Sequence, residues 1–99
     1  MQLQHARILL TGATGGLGQA LARELSAAGA ALLLSGRDAV RLGEIEVAPG
    51  TDYTTLQADL ATGEGIAAAA AAARHFRVNV LINNAGIGCF GLLEQQGWP

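Results

Sequence analysis

The chain has 99 residues, of which 51% are apolar, 14% are charged and 4% are aromatic. This length allows one domain with a modest aliphatic core, and the composition excludes a disordered chain. A net charge of -2 without a basic run argues against binding to nucleic acid or an anionic membrane surface.

Cysteine content and apolar runs limit the remaining classes. One cysteine cannot form an internal disulfide, and without a Cys/His cluster no metal site is predicted. Residues 1–7 lack the layout of a signal peptide, and the longest apolar stretch, Ile66–Ala73, is too short to span a bilayer. We therefore expect a soluble cytoplasmic protein.

Strand and helix patterns alternate along the chain. In order, the sequence predicts a strand at Ala6–Leu10, a helix at Leu17–Ala28, a strand at Ala30–Leu34, a short helix at Asp38–Glu46, a strand at Tyr53–Ala58, a helix from Thr62 to about Phe76 and a strand at Val78–Ile82. Asp38 and Thr62 are predicted N-caps, and Gly29 is a predicted C-cap. The alternation, with continuous apolar strands, predicts an α/β fold with a doubly wound parallel sheet covered on both faces.

The first predicted helix has an apolar stripe that should face the sheet. The stripe is formed by Leu17, Ala20, Leu21, Leu25 and Ala28.

A glycine-rich turn separates the first strand from the first helix. Thr11–Gly18 reads Thr-Gly-Ala-Thr-Gly-Gly-Leu-Gly. A pyrophosphate bound there would meet free backbone N–H groups and the positive end of the helix dipole. Many glycine-rich turns are only tight turns, but the strand before and the helix after favour phosphate binding here.

If the bound pyrophosphate belongs to a dinucleotide, the end of the second predicted strand indicates whether that cofactor is NAD(H) or NADP(H). The acidic residue that bonds the ribose in NAD-binding folds, about 20 positions beyond the glycines, is absent. Gly36 leaves room there, Arg37 supplies a guanidinium that suits a 2′-phosphate, and Ser35 adds a hydroxyl. The alternative is a solvent-facing Arg37, and Asp38 could reach the ribose or pair with that arginine. We favour NADP(H), with NAD(H) as the alternative cofactor.

Two further motifs follow the third and fourth predicted strands. Asp59 could accept a hydrogen bond from an adenine amino group with Leu60 packing near the ring, or it could only start the next helix. Asn83–Gly86 reads Asn-Asn-Ala-Gly. In a doubly wound sheet the first and fourth strands are neighbours, so this loop should face the glycine turn.

These motifs, in this order, resemble the classical short-chain dehydrogenase/reductase family, whose cofactor-binding fold is the Rossmann fold. The family's Thr-Gly-x-x-x-Gly-x-Gly motif is matched at Thr11–Gly18, and its Asn-Asn-Ala-Gly motif is matched at Asn83–Gly86. The resemblance implies that the pyrophosphate is lined by Gly12, Thr14, Gly16, Leu17 and Gly18. It also implies that Arg37, helped by Ser35, holds the 2′-phosphate, that Asp59 and Leu60 frame the adenine, and that Asn83, Ala85 and Gly86 lie along the adenosine ribose and the central sheet.

The family's catalytic Ser, Tyr-x-x-x-Lys and assisting Asn lie beyond the Asn-Asn-Ala-Gly motif. This chain stops at Pro99 and has no Lys, and its one Tyr, Tyr53, has no Lys four positions later. We therefore expect residues 1–99 to form an NAD(P)-binding Rossmann domain, truncated before the catalytic segment and without a catalytic residue. In the complete fold a fifth strand flanks the fourth, so Val78–Ile82 is predicted to be an exposed apolar edge that makes the isolated chain marginally stable or prone to aggregation.

The resemblance implies that the full-length protein transfers a hydride between the nicotinamide and a small alcohol or carbonyl substrate, as a homo-oligomer. The alternatives are a non-catalytic nucleotide-binding module and an inactive fragment.

Overall fold

A computed structural model describes residues 3–84 with their side chains and the backbone of residues 89–92. After a 3-10 turn at Leu3–His5, the elements are β1 (Arg7–Thr11), α1 (Gly16–Ala27), β2 (Ala31–Gly36), α2 (Ala39–Gly43), β3 (Tyr53–Gln57), α3 (Gly63–His75), β4 (Val80–Asn83) and β5 (Cys89–Leu92). All seven predicted elements are present, with ends shifted by a few residues. No helix among the described residues is long and apolar enough to cross a membrane.

The strands form one sheet in the order β3-β2-β1-β4-β5. β1, β2, β3 and β4 are parallel, and β1 pairs with both β2 and β4. The chain moves outward from β1 to β3 and then crosses back to the other side of β1. This reversal of strand order confirms the doubly wound α/β fold and creates a crevice beyond the carboxyl ends of β1 and β4.

The fifth strand corrects one expectation. β5 pairs with β4 in the antiparallel direction, with Val80 opposite Leu92 and Asn83 opposite Cys89. Residues 84–88 are too few for the crossover of about a dozen residues that a parallel pairing needs. The prediction of an exposed β4 edge is therefore wrong, and β5 is the end strand on this side instead. The predicted marginal stability or aggregation of the chain stays a prediction.

Two apolar clusters cover opposite faces of the sheet. The first joins β1 and β2 to α1 and α2, and its fully buried members include Ile8, Leu10, Leu32 and Leu34. The second joins the other face of the same strands to α3, and it consists of Leu9, Ala31, Leu33, Ala73 and Phe76. β3 departs from the predicted buried pattern because it is an edge strand, and four of its five residues are exposed.

α1 buries only part of the predicted stripe: Leu21 and Leu25 pack against the first cluster. Leu17 is 64% exposed and Ala28 is also exposed, whereas Gly18, Ala22 and Ser26 are buried. Gly18 packs against Gly12 and Ala13 of the turn that follows β1, and Leu17, one position earlier, faces solvent.

The predicted caps are confirmed. The Asp38 carboxylate accepts hydrogen bonds from the N–H groups of Val40 and Arg41, and the Thr62 hydroxyl accepts one from Gly65. Gly29 follows α1 with φ of 94°, the left-handed conformation expected of a C-cap glycine. These caps fix where α2 and α3 begin, and both beginnings lie at the carboxyl edge of the sheet.

Arg7 ties the opposite edge of the sheet together. Its Nε donates to the Phe76 carbonyl over 2.6 Å, its guanidinium lies 4.3 Å from the centre of the Phe76 ring, and its Nη1 lies 3.3 Å from Asp52 Oδ2. Asp52 is largely exposed, so we expect little stabilisation from this ion pair.

Candidate site at the carboxyl edge of the sheet

The residues predicted to bind a cofactor follow four adjacent parallel strands at one edge of the sheet. The glycine turn follows β1, Arg37 follows β2, Asp59 and Leu60 follow β3, and Asn83 ends β4. Ala85 and Gly86 lie outside the described residues. The topology therefore brings the described motifs together at the crevice where ligands of doubly wound sheets bind.

The glycine turn is held by its own backbone and by two neighbours. Gly12 has φ of 63°, and its carbonyl accepts from the Gly15 N–H over 3.3 Å. The Ala13 N–H donates to the Ser35 carbonyl over 3.1 Å, which joins the turn to β2. Inside the turn, Gln19 Nε2 donates to the Thr14 carbonyl over 2.8 Å. The turn is thus fixed without a ligand.

The two glycines at the start of α1 meet different constraints. A Cβ on Gly18 would overlap the Gly12 carbonyl oxygen and lie 2.8 Å from Ala13 Cα, so only glycine lets α1 pack this closely. A Cβ on Gly16 would meet no protein atom within 4 Å. The structure therefore explains Gly18 by helix packing but gives no internal reason for Gly16, whose Cα faces open space.

The first turn of α1 presents unpaired backbone donors. The N-cap residue Gly15 has no side chain to accept from them. The N–H groups of Gly16, Leu17 and Gly18 consequently have no acceptor among the described residues. Donors in this arrangement, at the positive end of a helix dipole, favour an anion such as a pyrophosphate.

The end of β2 is packed tightly, and the acid that follows it, Asp38, caps α2 through Oδ1. A Cβ on Gly36 would lie 3.1 Å from Thr14 Cγ2 and 3.3 Å from Leu42 Cδ2, so a larger residue would push against the glycine turn and α2. Arg37 is exposed. The Asp38 carboxylate is engaged as the cap of α2, at 2.9 Å from Val40 N and 3.3 Å from Arg41 N.

Ser35 differs from its predicted role. The residue is 1% exposed, and its hydroxyl has no hydrogen-bond partner and almost no contact with solvent. The side chain lies on the same face of the sheet as Leu33, because side chains alternate along a strand. The structure thus gives no support for a contact between this hydroxyl and a 2′-phosphate.

Asp59 and Leu60 form the turn before α3. Asp59 Oδ1 accepts from the Ala61 N–H over 2.9 Å, and Thr62, not Asp59, caps the helix. Gly65 packs against the Asp59 backbone so closely that a Cβ would overlap the carbonyl group. Asp59 is exposed. Its second carboxylate oxygen therefore remains available to a ligand.

A mainly apolar cleft of about 360 Å³ opens beside Leu60, between α3 and the sheet. It is lined by Leu9, Thr11, Leu60, Ile66, Ala69, Ala70, Leu81 and Asn83. Its polar end, at Thr11 and Asn83, meets the crevice.

Two asparagines join the end of β4 to the end of β1, as predicted for this loop. The Thr11 hydroxyl donates to Asn83 Oδ1 over 2.8 Å. Asn84 Nδ2 donates to the Gly12 carbonyl over 3.1 Å. The asparagines therefore hold both walls of the crevice in register.

Two residues that support the site, Gln19 and Gln57, were not identified from the sequence, and Thr11 was identified only as part of the glycine motif, without its contact to Asn83. The Gln57 amide Nε2 donates to the Arg37 carbonyl over 3.1 Å. Thr11 and Gln57 both end strands at the carboxyl edge, and a polar residue at that position is the signal that could have identified them.

Comparison with known proteins agrees with this geometry. The family model described as short chain dehydrogenase matches residues 6–98. The chain belongs to the short-chain dehydrogenase family. A family member from Bos taurus, "Dehydrogenase/reductase SDR family member 7B", is 41% identical over 92% of this chain, which covers 31% of that protein. The chain thus spans about a third of the length of the curated relative it matches.

Solved structures of the family carry nicotinamide cofactors. A metagenomic short-chain oxidoreductase in complex with NADP is 40% identical, with a TM-score of 0.74 over 92% of this chain and 43% of that one. An NADH-dependent reductase complexed with NAD is 30% identical, with a TM-score of 0.64 over 82% of this chain and 36% of that one. The family relationship therefore supports a nicotinamide cofactor of either kind.

Proposed function

We propose that this chain is the NADP(H)-binding part of a short-chain dehydrogenase/reductase. In the whole protein, the nicotinamide would exchange a hydride with a small alcohol or carbonyl substrate. The observation that carries the proposal is the turn at Thr11–Gly18, which presents unpaired N–H groups beside open space at Gly16.

The first turn of α1 fits a pyrophosphate. The three free N–H groups at Gly16, Leu17 and Gly18 supply donors, and the missing side chain at Gly16 leaves the space that a phosphate needs. Thr14 and Gly12 complete the wall of this turn. Because Gln19 and Ser35 already hold the preceding turn through Thr14 and Ala13, binding would require little further ordering of the turn.

The end of β2 supports NADP(H) over NAD(H). An acid at the end of β2 that accepts from the ribose 2′-hydroxyl is the usual selector for NAD, and positions 36 and 37 carry Gly and Arg instead. Asp38 follows Arg37, and its Oδ1 already accepts from two N–H groups as the cap of α2. Arg37 remains exposed, and its guanidinium can pair with a 2′-phosphate through two hydrogen bonds.

The adenosine would lie between the ends of β3 and β4. Asp59 offers a carboxylate oxygen to the adenine amino group, and Leu60 offers an apolar surface. Asn83 lies on the opposite side, at the end of β4, and Ala85 and Gly86 complete this part of the proposal.

The chain itself contributes binding and orientation. Its sequence contains no Lys and a single Tyr53, which is about half exposed on the edge strand β3. We therefore expect the 99-residue chain to bind nucleotide without catalysing reduction. The cytoplasmic location and the homo-oligomeric state of the whole protein stay predictions.

Replacement of Arg37 tests the cofactor preference. Titration calorimetry would compare 2′,5′-ADP, which carries the 2′-phosphate, with 5′-AMP, which lacks it. We expect Arg37→Met to weaken 2′,5′-ADP binding about 10- to 100-fold, because a hydrogen bond to a charged group is lost, and to leave 5′-AMP binding nearly unchanged. Arg74→Met, which removes an exposed arginine in the last turn of α3, is the charge-matched control. Equal losses for both ligands, or none, would contradict the NADP(H) assignment.

A further inference from the structure

The backbone of Arg37 is held by a side chain from the neighbouring strand. Gln57 is the last residue of β3 and lies beside Gly36 in the sheet register. Its Nε2 donates to the Arg37 carbonyl over 3.1 Å. This contact spans 20 residues of sequence and joins the edge strand to the segment that follows β2.

The bond fixes the part of Arg37 that sets the direction of its side chain. The Arg37 carbonyl belongs to the peptide group between Arg37 and Asp38, so holding it restricts ψ of Arg37. On one side, Gly36 is fixed because its carbonyl accepts from the Ala58 N–H over 2.9 Å. On the other side, Asp38 is fixed by its role as the cap of α2. Gln57 therefore restrains the remaining rotatable link between two fixed points.

We propose that Gln57 is a positioning residue for 2′-phosphate recognition: it orients Arg37 so that the guanidinium meets the 2′-phosphate of NADP(H). The proposal rests on the proposed function, because it requires Arg37 to bind that phosphate. The phosphate needs no contact with Gln57. Because its carbonyl is held, the backbone that carries the Arg37 side chain has less freedom to lose when the ligand arrives, and this saving appears as affinity.

The contribution is specific to ligands with a 2′-phosphate. A pyrophosphate on the glycine turn and an adenine near Asp59 do not depend on the direction of Arg37. Both Gln57 and Arg37 are exposed, so a single neutral hydrogen bond between them should change affinity by about 3- to 10-fold.

The test uses Gln57→Met, which keeps the length of the side chain and removes its N–H donor. Titration calorimetry of the 99-residue chain would again compare 2′,5′-ADP with 5′-AMP. We expect 2′,5′-ADP to bind about 3- to 10-fold more weakly and 5′-AMP to bind within about twofold of the original chain. The matched control is Thr55→Val, two residues earlier on the same face of exposed β3, which should change neither affinity. Thermal melting by circular dichroism would verify that both variants fold.

A double-mutant cycle separates this proposal from the function on which it rests. If Gln57 acts through Arg37, adding Gln57→Met to Arg37→Met should cause no further loss of 2′,5′-ADP binding. An additional loss of the same size would overturn the positioning role, as would equal weakening of both ligands by Gln57→Met alone. An unchanged ligand preference in Gln57→Met, with a reduced one in Arg37→Met, would refute the role of Gln57 and keep the proposed function. An unchanged preference in Arg37→Met would refute the proposed NADP(H) function itself.

Discussion

Alanine at Gly18 should destabilise the fold, whereas alanine at Gly16 should weaken cofactor binding, although both glycines lie in the first turn of α1. At Gly18 the new Cβ would overlap the Gly12 carbonyl oxygen and lie 2.8 Å from Ala13 Cα. Both are backbone atoms, so α1 must move away from the end of β1. Overpacking usually costs about 1–3 kcal/mol, and contact with backbone atoms, which give way less than side chains, places this case at about 2–3 kcal/mol. The better helix propensity of alanine returns about 1 kcal/mol. We expect Gly18→Ala to lower the free energy of unfolding by about 1–2 kcal/mol.

At Gly16 the new Cβ meets no protein atom within 4 Å. The free energy of unfolding should therefore stay unchanged or rise by about 0.4–1 kcal/mol, because alanine restricts the unfolded chain. The methyl group would instead occupy the space proposed for the pyrophosphate. We expect Gly16→Ala to weaken NADP⁺ binding at least about tenfold, which is about 1.4 kcal/mol.

Urea unfolding followed by far-UV circular dichroism would give the stabilities, and titration calorimetry would give the affinities. A Gly18→Ala chain as stable as the original would show that α1 does not pack as described. A Gly16→Ala chain that binds NADP⁺ normally would refute the placement of the pyrophosphate over this residue.

Two further pairs of substitutions test the packing around the site. In urea unfolding, Gly65→Ala should lower the free energy of unfolding by about 1–3 kcal/mol, because the new Cβ would overlap the Asp59 carbonyl group. Gly63→Ala should leave it unchanged or raise it, because a Cβ there meets nothing within 4 Å. Ser35→Ala should raise the melting temperature, because burying an unpaired hydroxyl costs about 1–3 kcal/mol. Ser26→Ala should lower it, because the Ser26 hydroxyl donates to the Arg23 carbonyl and accepts from the Ala48 N–H. Destabilisation by Ser35→Ala, or tolerance of Gly65→Ala, would contradict this description of the packing.

Local sequence signals predicted the parts of the fold that depend on neighbours along the chain. Alternating apolar runs gave the parallel sheet, and the predicted caps at Asp38 and Thr62 are both present. The adjacency of β1 and β4 followed from the topology of doubly wound sheets. The contacts of Asn83 and Asn84 with the glycine turn followed from that adjacency.

The predictions that failed depended on contacts that sequence periodicity does not contain. Leu17 fits an apolar stripe, but Gly18, one position later, packs against the turn that follows β1, and Leu17 faces solvent. Ser35 follows a strand and seemed available to a phosphate, but alternation along β2 directs its hydroxyl into the sheet. The antiparallel β5 was missed because its pairing depends on the short connection after β4.

The features that bear on cofactor preference could be predicted from the sequence only in part. The sequence showed Arg37 and the missing acid, but it left Asp38 able to bind ribose or pair with the arginine. In the structure Asp38 Oδ1 caps α2, which accounts for one oxygen of that carboxylate. The bond from Gln57 joins residues 20 positions apart, so it depends on strand register and could not be read locally.

The most direct test of the account is a titration of the ¹⁵N-labelled 99-residue chain with NADP⁺, followed by its amide NMR signals. We predict that the largest shifts fall on Gly16, Leu17 and Gly18, with a second group at Arg37, because these groups would contact the pyrophosphate and the 2′-phosphate. Shifts that are absent from the glycine turn, or that concentrate at the opposite edge of the sheet around Arg7, would contradict the assignment of this chain as an NADP(H)-binding unit.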